Sequence, residues 1–264
     1  ERHSAHAVVI ATGGYGRVFA SNTNAMINTG DGIALAMKAG ADLADLEFVQ
    51  FHPTGLKTSG LLISEGVRGE GAYLIGKDGK RFMSKYAPNK LELASRDVVS
   101  RAEAQEIMAG NGVDGVVFLD VRHLGKDLIL ERLPQIRQLS IDFEGVDPIT
   151  DPIPVRPTCH YTMGGIRTKK LGQTNVTGLF SAGEASCTSV HGANRLGANS
   201  LLETIVFGKF VGKEMVRYIK EDQLCQEDNT TQEETIAKAV AQINKIKSQD
   251  HETGIRPNDL REKL

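Results

Sequence analysis

The fold is organised around one loop and the helix that follows it, residues 189–203, which read SVHGANRLGANSLLE. Glycines and Arg195 lie in the loop half. Ser200 and Glu203 fit a capping box, in which the hydroxyl accepts from a free first-turn amide and the carboxylate reaches back. Apolar residues then recur at helical spacing and predict a long buried helix: Leu201, Leu202, Ile205, Val206, Phe210, Val211, Met215 and Ile219.

The start of this helix is a predicted anion-binding site. A helix N-terminus presents unpaired N–H groups and a partial positive charge, and both stabilise a negatively charged or electron-accepting group. Arg195, just before the helix, adds a guanidinium that can bind a carboxylate through two hydrogen bonds. Helix caps are common, so these residues alone leave an ordinary capped helix as the alternative.

The composition is typical of one or two globular domains. The chain has 264 residues, of which 40% are hydrophobic and 24% charged, with a net charge of -2. No basic excess points to nucleic acid, and no apolar run reaches the ~18 residues that direct membrane insertion needs. Cys159, Cys187 and Cys225 lack Cys-x-x-Cys spacing. They predict neither a zinc nor an iron–sulfur site, and reduced thiols of the cytoplasmic kind are the default.

Two strands that run into glycine turns frame a candidate nucleotide site. His6–Gly14 reads as a buried strand whose final turn lets the backbone approach a phosphate or a flavin. Gly178–Glu184 reads as a second strand, ending in a carboxylate that can hold ribose hydroxyls. An apolar helix is predicted after residue 30, with Asp31 as its N-cap and Gly40 as its stop. For Asp31, a cofactor contact is the open alternative.

Charged and histidine residues mark the middle of the chain. Glu47–Gly55 predicts a strand that breaks at His52-Pro53, and a single histidine there is more often structural than catalytic. Glu65 and Arg68 would face each other on a helical turn, an ion pair worth ~0.2–0.5 kcal/mol if exposed, but the glycines around them favour a tight loop.

A helix is predicted from Ser95 to Gly110, after a mobile surface segment at residues 82–91. Arg96 falls at the helix N-terminus, where the helix dipole disfavours a cation, so a solvated charge is the simple interpretation. Pro-rich extended chain then leads to His160, which is as ambiguous as His52.

Taken together, the motifs resemble the flavoprotein subunits of succinate dehydrogenase and fumarate reductase. The run HGANRLGANSL at residues 191–201 resembles the family signature, and L-aspartate oxidase carries a near variant. Further matches are ATGG at 11–14, TGDG at 29–32, QFHPT at 50–54, SEGVRGEG at 64–71, LASRD at 93–97, RPTCHYTMGG at 156–165 and GLFSAGE at 178–184. Ser64 stands where the family usually has Thr, and Ser95 where it has Pro.

The resemblance implies an α/β plus α+β fold: part of a split FAD-binding Rossmann-like domain with an inserted capping domain. We expect the first FAD-binding part at residues 1–47, the capping domain at 48–163, the second FAD-binding part at 164–220 and the start of a helical domain at 221–264. No Gly-x-Gly-x-x-Gly follows a strand here. The family's first FAD strand, pyrophosphate loop and flavin-linked His are therefore expected upstream of residue 1, and the chain alone is expected to be inactive.

The resemblance also assigns roles to individual residues. Arg96 is the implied proton donor to fumarate, recharged through Glu65 and Arg68. The implied substrate-binding residues are His52, Ser64, His160 and Arg195. The implied FAD contacts are Thr12, Gly13, Gly14, Asp31, Glu184, Asn199, Ser200 and Leu201.

The expected activity is the interconversion of succinate and fumarate with FAD. The family implies an iron–sulfur partner subunit and a membrane anchor subunit, and hence a peripheral location on the cytoplasmic face of the inner membrane. Two alternatives remain open. L-aspartate oxidase, which needs no iron–sulfur partner, is favoured slightly by residues 63–65 and 71–72, while Arg156-Pro157 and Leu196-Gly197 argue against it. The other is a folded capping module that binds no cofactor.

Overall fold

The computed structural model describes residues 3–221 and 229–248. Its strands are β1 Val8–Ile10, β2 Leu43–Ala44, β3 Val49–Leu56, β4 Tyr73–Ile75, β5 Val117–Asp120, β6 Ile153–Thr162, β7 Gly165–Arg167, β8 Leu179–Ser181 and β9 Ser186–Cys187. Its helices are α1 Asp31–Lys38, α2 Gly66–Gly69, α3 Met83–Tyr86, α4 Arg96–Met108, α5 Lys126–Arg132, α6 Pro134–Glu144, α7 Asn199–Lys220 and α8 Asn229–Lys247. Cys225 and the predicted helical run at the end of the chain, past residue 248, lie outside the described residues.

The largest sheet is four-stranded and antiparallel, in the order β3-β6-β5-β4. Helix α4 packs on β3 and β6, so its first residue, Arg96, lies beside the two long central strands. The sheet and its helices share one core, in which Val117 and Leu119 of β5 and Ile153 and Val155 of β6 belong to the same apolar cluster as Val99 of α4. The largest fully buried apolar side chains of this core are Leu56, Ile63, Leu74, Met83, Leu119, Ile129 and Ile153.

Two smaller sheets join segments that are far apart in sequence. Strand β1 pairs in parallel with β8, and β2-β7-β9 form a three-stranded sheet. Helix α1 packs through Ile33 and Ala36 against Ile166 of β7, and α7 packs through Val211 and Tyr218 against Phe180 of β8. The chain thus leaves this region after β2 and returns to it at β7, which is the path that an inserted domain requires. The predicted mixed α/β fold is confirmed.

The predicted burial of two apolar segments is wrong. On α7, Leu201, Ile205 and Leu202 are 69%, 68% and 59% exposed, while Val211 and Tyr218 carry the packing. Strand β1 was expected to be buried, yet Val8 is 47% exposed. Within the described residues β1 has a single strand neighbour, β8, and one face of α7 has no layer over it. Periodicity finds an apolar face but does not tell what covers it.

Both predicted side-chain caps are also wrong. Helix α7 begins at Asn199, after Ala198 in the left-handed conformation (φ 64), and no side chain caps it. Helix α1 begins at Asp31 itself, after Gly30 (φ 81), and the Asp31 carboxylate accepts from the Thr29 hydroxyl instead. The predicted helix stop at Gly40, with φ 92, is confirmed.

Three local predictions in the middle of the chain need correction. Strand β3 runs through His52-Pro53 to Leu56, because a register shift against β6 accommodates the proline. The Glu65–Arg68 segment forms the short helix α2 rather than a loop. Phe82 and Met83 lie in the main core rather than in a mobile surface segment.

Glu103 is a buried carboxylate that the sequence did not reveal. It lies on α4 with 0% exposure, and neither side-chain oxygen has a hydrogen-bond partner in the part of the chain that the structure describes. Burial raises its pKa well above the ordinary value, and the charge of Arg68 offsets this only in part. The folded protein therefore favours the protonated, neutral form of Glu103.

We expect Glu103→Gln to stabilise the protein increasingly as pH rises. A carboxyl whose pKa is raised on folding contributes stability below its unfolded pKa and loses it as pH rises through the folded pKa, by about 1.4 kcal/mol per pH unit. Gln is neutral throughout and escapes this loss. Urea unfolding at pH 5 and pH 8 measures the difference, with Glu131→Gln, at an exposed carboxylate, as control. An equal difference at both pH values would contradict the prediction.

Candidate active site

Arg96 and Glu65 form the ion pair at the centre of the site. Arg96 Nε and Nη2 donate to Glu65 Oε2 at 2.9 and 2.8 Å, and Nη1 donates to Gln50 Oε1 at 3.2 Å. The side chain of Arg96 is only 11% exposed. The cation at the start of α4 is therefore compensated by a carboxylate rather than solvated, and the simple interpretation of Arg96 is wrong.

Arg68 extends this pair into the protein interior. Its side chain is fully buried, and its Nη2 lies 3.7 Å from Glu65 Oε1. Its Nη1 donates to the Glu92 carbonyl at 2.5 Å, while Nε and Nη2 have no hydrogen-bond partner among the described residues. Burial lowers the pKa of Arg68. One carboxylate, Glu65, thus lies between two guanidinium groups.

His52 and His160 lie next to each other on the paired strands β3 and β6. Their ring centroids are 5.2 Å apart, with the planes inclined at 66°. Burial, and then the charge of Arg96, lower the pKa of His160 to about 4, and the same causes lower the pKa of His52 well below its ordinary value. Both imidazoles are therefore neutral at pH 7.

The backbone fixes the tautomer of His52. The Thr54 amide donates to His52 Nδ1 at 3.2 Å, so Nδ1 is the acceptor and the neutral ring carries its proton on Nε2. His52 Nε2 is buried and has no partner in residues 3–221 and 229–248. An unsatisfied buried donor is costly. His52 consequently presents a vacant N–H to any acceptor that enters beside Arg96.

The loop before α7 brings a third guanidinium to the same place. Arg195 is 3% exposed, and its Cζ lies 4.4 Å from the ring centroid of Tyr161. Its Nη1 donates to the Leu196 carbonyl at 3.1 Å, and Nε has no partner among the described residues. A Cβ on Gly197 would lie 3.6 Å from Glu65 Oε2. The signature loop therefore packs directly on the Arg96–Glu65 pair.

Gln50 connects the two sides of the site, and sequence reasoning missed it. Besides accepting from Arg96, its amide donates to Asn194 Oδ1 at 2.9 Å and to the Arg195 carbonyl at 2.6 Å. Asn194 in turn donates to Asp97 at 3.1 Å. The position of Gln50, two residues before His52 and on the same face of a strand, is the signal that could have found it.

Ser64 is the predicted substrate residue for which no contact with this cluster is seen. Its hydroxyl accepts from the Gly66 amide at 3.2 Å. It also lines a cavity of about 390 Å³ together with Val67, Leu133 and Pro134. Ser64 is next to Glu65 in the chain, but Glu65, Arg96 and His52 are not among the residues that line this cavity.

Most of the predicted FAD contacts meet at the ends of β1 and β8. A Cβ on Gly14 would lie 2.6 Å from Glu184 Oε1, and one on Gly32 would lie 2.0 Å from Thr12 Oγ1. Gly13 has φ 77 and turns the chain here. Asp31 follows at the start of α1. Asn199, Ser200 and Leu201 form the first turn of α7, which packs on the turn that holds Glu184.

The donor set at this place fits a dinucleotide cofactor. A side chain at Gly14 or Gly32 would collide with Glu184 or Thr12, so these glycines allow the segments around the ends of β1 and β8 to pack closely. No side chain caps the N-terminus of α7. Its free N–H groups and partial positive charge would therefore stabilise a negatively charged group bound there. Glu184 accepts from the Thr162 amide at 3.0 Å, and burial raises its pKa. A buried carboxylate of this kind is suited to hold hydroxyl groups.

Metal, thiol and membrane features add little to the site. Among the described residues, no three His, Cys, Asp or Glu side chains are grouped so as to hold a metal ion. Cys159 and Cys187 are buried and free, and burial raises the pKa of Cys159 to about 12. None of the helices that the structure describes has the length and apolarity of a membrane span.

Comparison with known proteins identifies the class. The FAD binding domain family matches residues 1–201. The succinate dehydrogenase flavoprotein subunit of Rickettsia bellii is 48% identical over 274 aligned positions, covering 98% of this chain and 45% of the relative. The fumarate reductase flavoprotein subunit of Proteus vulgaris is 50% identical, covering 82% and 39%. A mutant FrdA of E. coli quinol fumarate reductase has a TM-score of 0.90 at 42% identity, covering 97% and 46%.

The chain therefore belongs to the FAD binding domain family, and the predicted cofactor, FAD, is confirmed. Within that class it falls among the succinate dehydrogenase and fumarate reductase flavoprotein subunits, as the motifs predicted. It spans less than half the length of these relatives.

The tautomer and charge of His52 can be tested directly. We expect His52 to give the nitrogen shifts of a neutral imidazole protonated at Nε2 throughout pH 5.5–8, because burial and Arg96 disfavour its cation. Long-range proton–nitrogen NMR spectra, assigned with His52→Gln, measure this. A titration midpoint near the ordinary ~6.5 would contradict it.

Proposed function

We propose that this chain supplies the capping domain and part of the FAD domain of a flavoprotein that interconverts succinate and fumarate. The observation that carries the proposal is the set of unused donors on His52 and Arg195, beside an Arg96–Glu65 pair. Such a set binds a small dianion and handles a proton next to it. FAD, when bound, supplies the hydride acceptor or donor for the second carbon.

The substrate carboxylates are bound by the histidines and Arg195. His52 donates from Nε2 to one carboxylate, and the neutral His160 lies beside it, held through its Nδ1 at 2.7 Å from the Thr23 hydroxyl. Arg195 binds a carboxylate through two parallel N–H groups. Ser64 adds a hydroxyl next to Glu65. Donors at the carboxylates also stabilise the charge that develops there in the transition state.

Proton transfer is assigned to Arg96. When succinate is oxidised, one carbon loses a hydride and its neighbour loses a proton, which Arg96 takes up while it passes another proton to Glu65. Fumarate reduction runs the same steps in reverse. A guanidinium rarely gives up a proton unaided. The pair at 2.8 Å and the adjacent Arg68 support a relay, because Glu65 can accept from one guanidinium as it turns toward the other.

The domain arrangement supports a closing motion. We propose the boundaries 1–47, 48–163, 164–220 and 221–264, with the capping domain carrying Arg96 and the second FAD-binding part carrying Arg195. Gln50 and Asp97 hydrogen-bond across this boundary to Asn194. Closure would exclude water and strengthen the charge interactions in the site.

The similarity to fumarate reductase and succinate dehydrogenase subunits supports the proposed partners. We propose that electrons pass to an iron–sulfur protein subunit, and that a membrane anchor subunit holds the assembly on the cytoplasmic face of the inner membrane. The chain itself would then be peripheral.

Dye-coupled oxidation of succinate and of L-aspartate tests the proposal in the FAD-loaded flavoprotein that carries this sequence. We expect turnover of succinate and none of L-aspartate, because Arg156-Pro157 and Leu196-Gly197 resemble the succinate dehydrogenase and fumarate reductase subunits rather than L-aspartate oxidase. Turnover of L-aspartate would assign the chain to L-aspartate oxidase instead. Turnover of neither substrate, with FAD bound, would overturn the proposal.

Arg96→Lys should separate chemistry from binding. A lysine keeps the charge but cannot span Glu65 and Gln50 together, so we expect turnover to fall at least about 100-fold, the usual range for loss of a general acid or base. The dissociation constant of malonate, read from the flavin spectrum, should change less than about threefold. Arg101→Lys, at an exposed position on the same helix, is the matched control. Near-normal turnover of Arg96→Lys would remove it from proton transfer.

A further inference from the structure

Glu203 is a buried carboxylate that the roles assigned so far do not use. It lies near the start of α7 with 4% exposure. Its Oε2 accepts from the Tyr161 hydroxyl at 2.5 Å and contacts His191 Nε2 at 2.8 Å. Its Oε1 accepts from the Thr188 hydroxyl at 3.3 Å. The Glu203 carboxylate therefore connects β6, through Tyr161, to the start of the loop that carries Arg195, through Thr188 and His191. Glu203 itself lies on α7, which follows that loop.

These hydrogen bonds determine the protonation of the network. Burial alone would raise the pKa of Glu203, but the hydrogen bonds from His191, Tyr161 and Thr188 outweigh it and lower that pKa. Burial first, and the hydrogen bond to Glu203 second, raise the pKa of the Tyr161 hydroxyl. At neutral pH, Glu203 is thus an anion whose oxygens are occupied, and Tyr161 remains a donor.

Arg195 lies over the ring of Tyr161, the residue whose hydroxyl donates to Glu203. The Arg195 guanidinium lies 4.4 Å from the ring centroid of Tyr161. The ring centroids of His191 and Tyr161 are 5.8 Å apart, and the two ring planes are inclined at 87°. A cation over an aromatic face is attracted by the ring quadrupole, most strongly where water is excluded. Stacking uses the face of the guanidinium and leaves its in-plane N–H groups free.

Arg195 needs such a support. The charge of Arg96 lies near enough to oppose its own, and Glu203 does not pair with it directly because three other donors occupy that carboxylate. A direct pair would compete with a substrate carboxylate for the same N–H groups. The ring holds the cation without this competition.

We infer that Tyr161 and Glu203 are positioning residues for dicarboxylate binding: Glu203 fixes the ring of Tyr161, and the ring holds Arg195 with its donors directed at the substrate. This inference rests on the proposed function and identifies what orients its carboxylate-binding arginine. It predicts effects on binding rather than on the chemical step.

The test compares Tyr161→Leu, Tyr161→Phe and Glu203→Gln in the FAD-loaded flavoprotein. Tyr161→Leu should raise the KM for succinate and the dissociation constant of malonate about tenfold to thirtyfold, the range for a desolvated cation–aromatic contact, with kcat changed less than about threefold. Tyr161→Phe keeps the ring and should weaken malonate binding clearly less than Tyr161→Leu does. Glu203→Gln should weaken malonate binding by about tenfold, because the ring loses its anchor.

Tyr73→Leu is the matched control. Arg81 Cζ lies 4.2 Å from the Tyr73 ring centroid, so this variant removes the same kind of contact elsewhere on the fold. It should leave malonate binding within about twofold of the parent, and FAD content should be equal in all variants that are compared.

Two results would overturn the inference: unchanged malonate binding in Tyr161→Leu, or equal losses in Tyr161→Phe and Tyr161→Leu. Should Tyr161→Leu fail to fold, Tyr161→Phe and Glu203→Gln decide, and parental affinity in both would overturn it. Failure of the proposed function gives a different result, since the parent itself would then turn over neither succinate nor fumarate.

Discussion

Mutual repulsion among guanidinium groups is the constraint on which the site depends. Burial is the main cause that lowers the pKa values of Arg68, Arg195, His52 and His160, and the charge of Arg96 lowers each of them further. Such groups can be held close together only by a rigid frame and by carboxylates placed between them. Glu65 separates Arg96 from Arg68, and Tyr161 with Glu203 supports Arg195. A dicarboxylate bound as we propose would relieve the remaining repulsion, so the cost of assembling the cations would contribute to its binding.

The frame consists of long strands and the ends of helices. His52 and His160 come from β3 and β6, whose pairing fixes their distance, while Arg96 and Arg195 lie at or just before helix starts. The same two helices belong to different parts of the fold: α4 packs on the four-stranded sheet, and α7 packs on β8. Hydrogen bonds from Gln50 and Asp97 to the Asn194–Arg195 loop join those parts. The proposed substrate site thus lies where these parts meet, which is consistent with the proposed closing motion.

Sequence motifs pointed to residues that the structure brings together, but not to what surrounds them. The residues that meet here, such as Glu65, Arg96 and Arg195, stand in the distinctive runs at residues 64–71, 93–97 and 191–201. Gln50 and Tyr161 lie in or beside such runs and Glu103 lies outside them, but for all three the sequence does not show which strand or helix packs beside them. The failed caps at Ser200 and Asp31 have a similar cause: a residue in the left-handed conformation precedes each helix, and the Glu203 carboxylate is bonded to Tyr161, Thr188 and His191 instead. The exposed face of α7 shows that periodicity does not specify what covers a helix.

The central claim is that the unused donors of His52 and Arg195 bind the two ends of one dicarboxylate. A crystal structure of the FAD-loaded flavoprotein with malonate tests it most directly. The account predicts carboxylate oxygens at hydrogen-bond distance, about 2.7–3.2 Å, from His52 Nε2 and from the Arg195 guanidinium. Malonate bound instead in the cavity beside Ser64 and Leu133, with His52 Nε2 still unpaired, would contradict it.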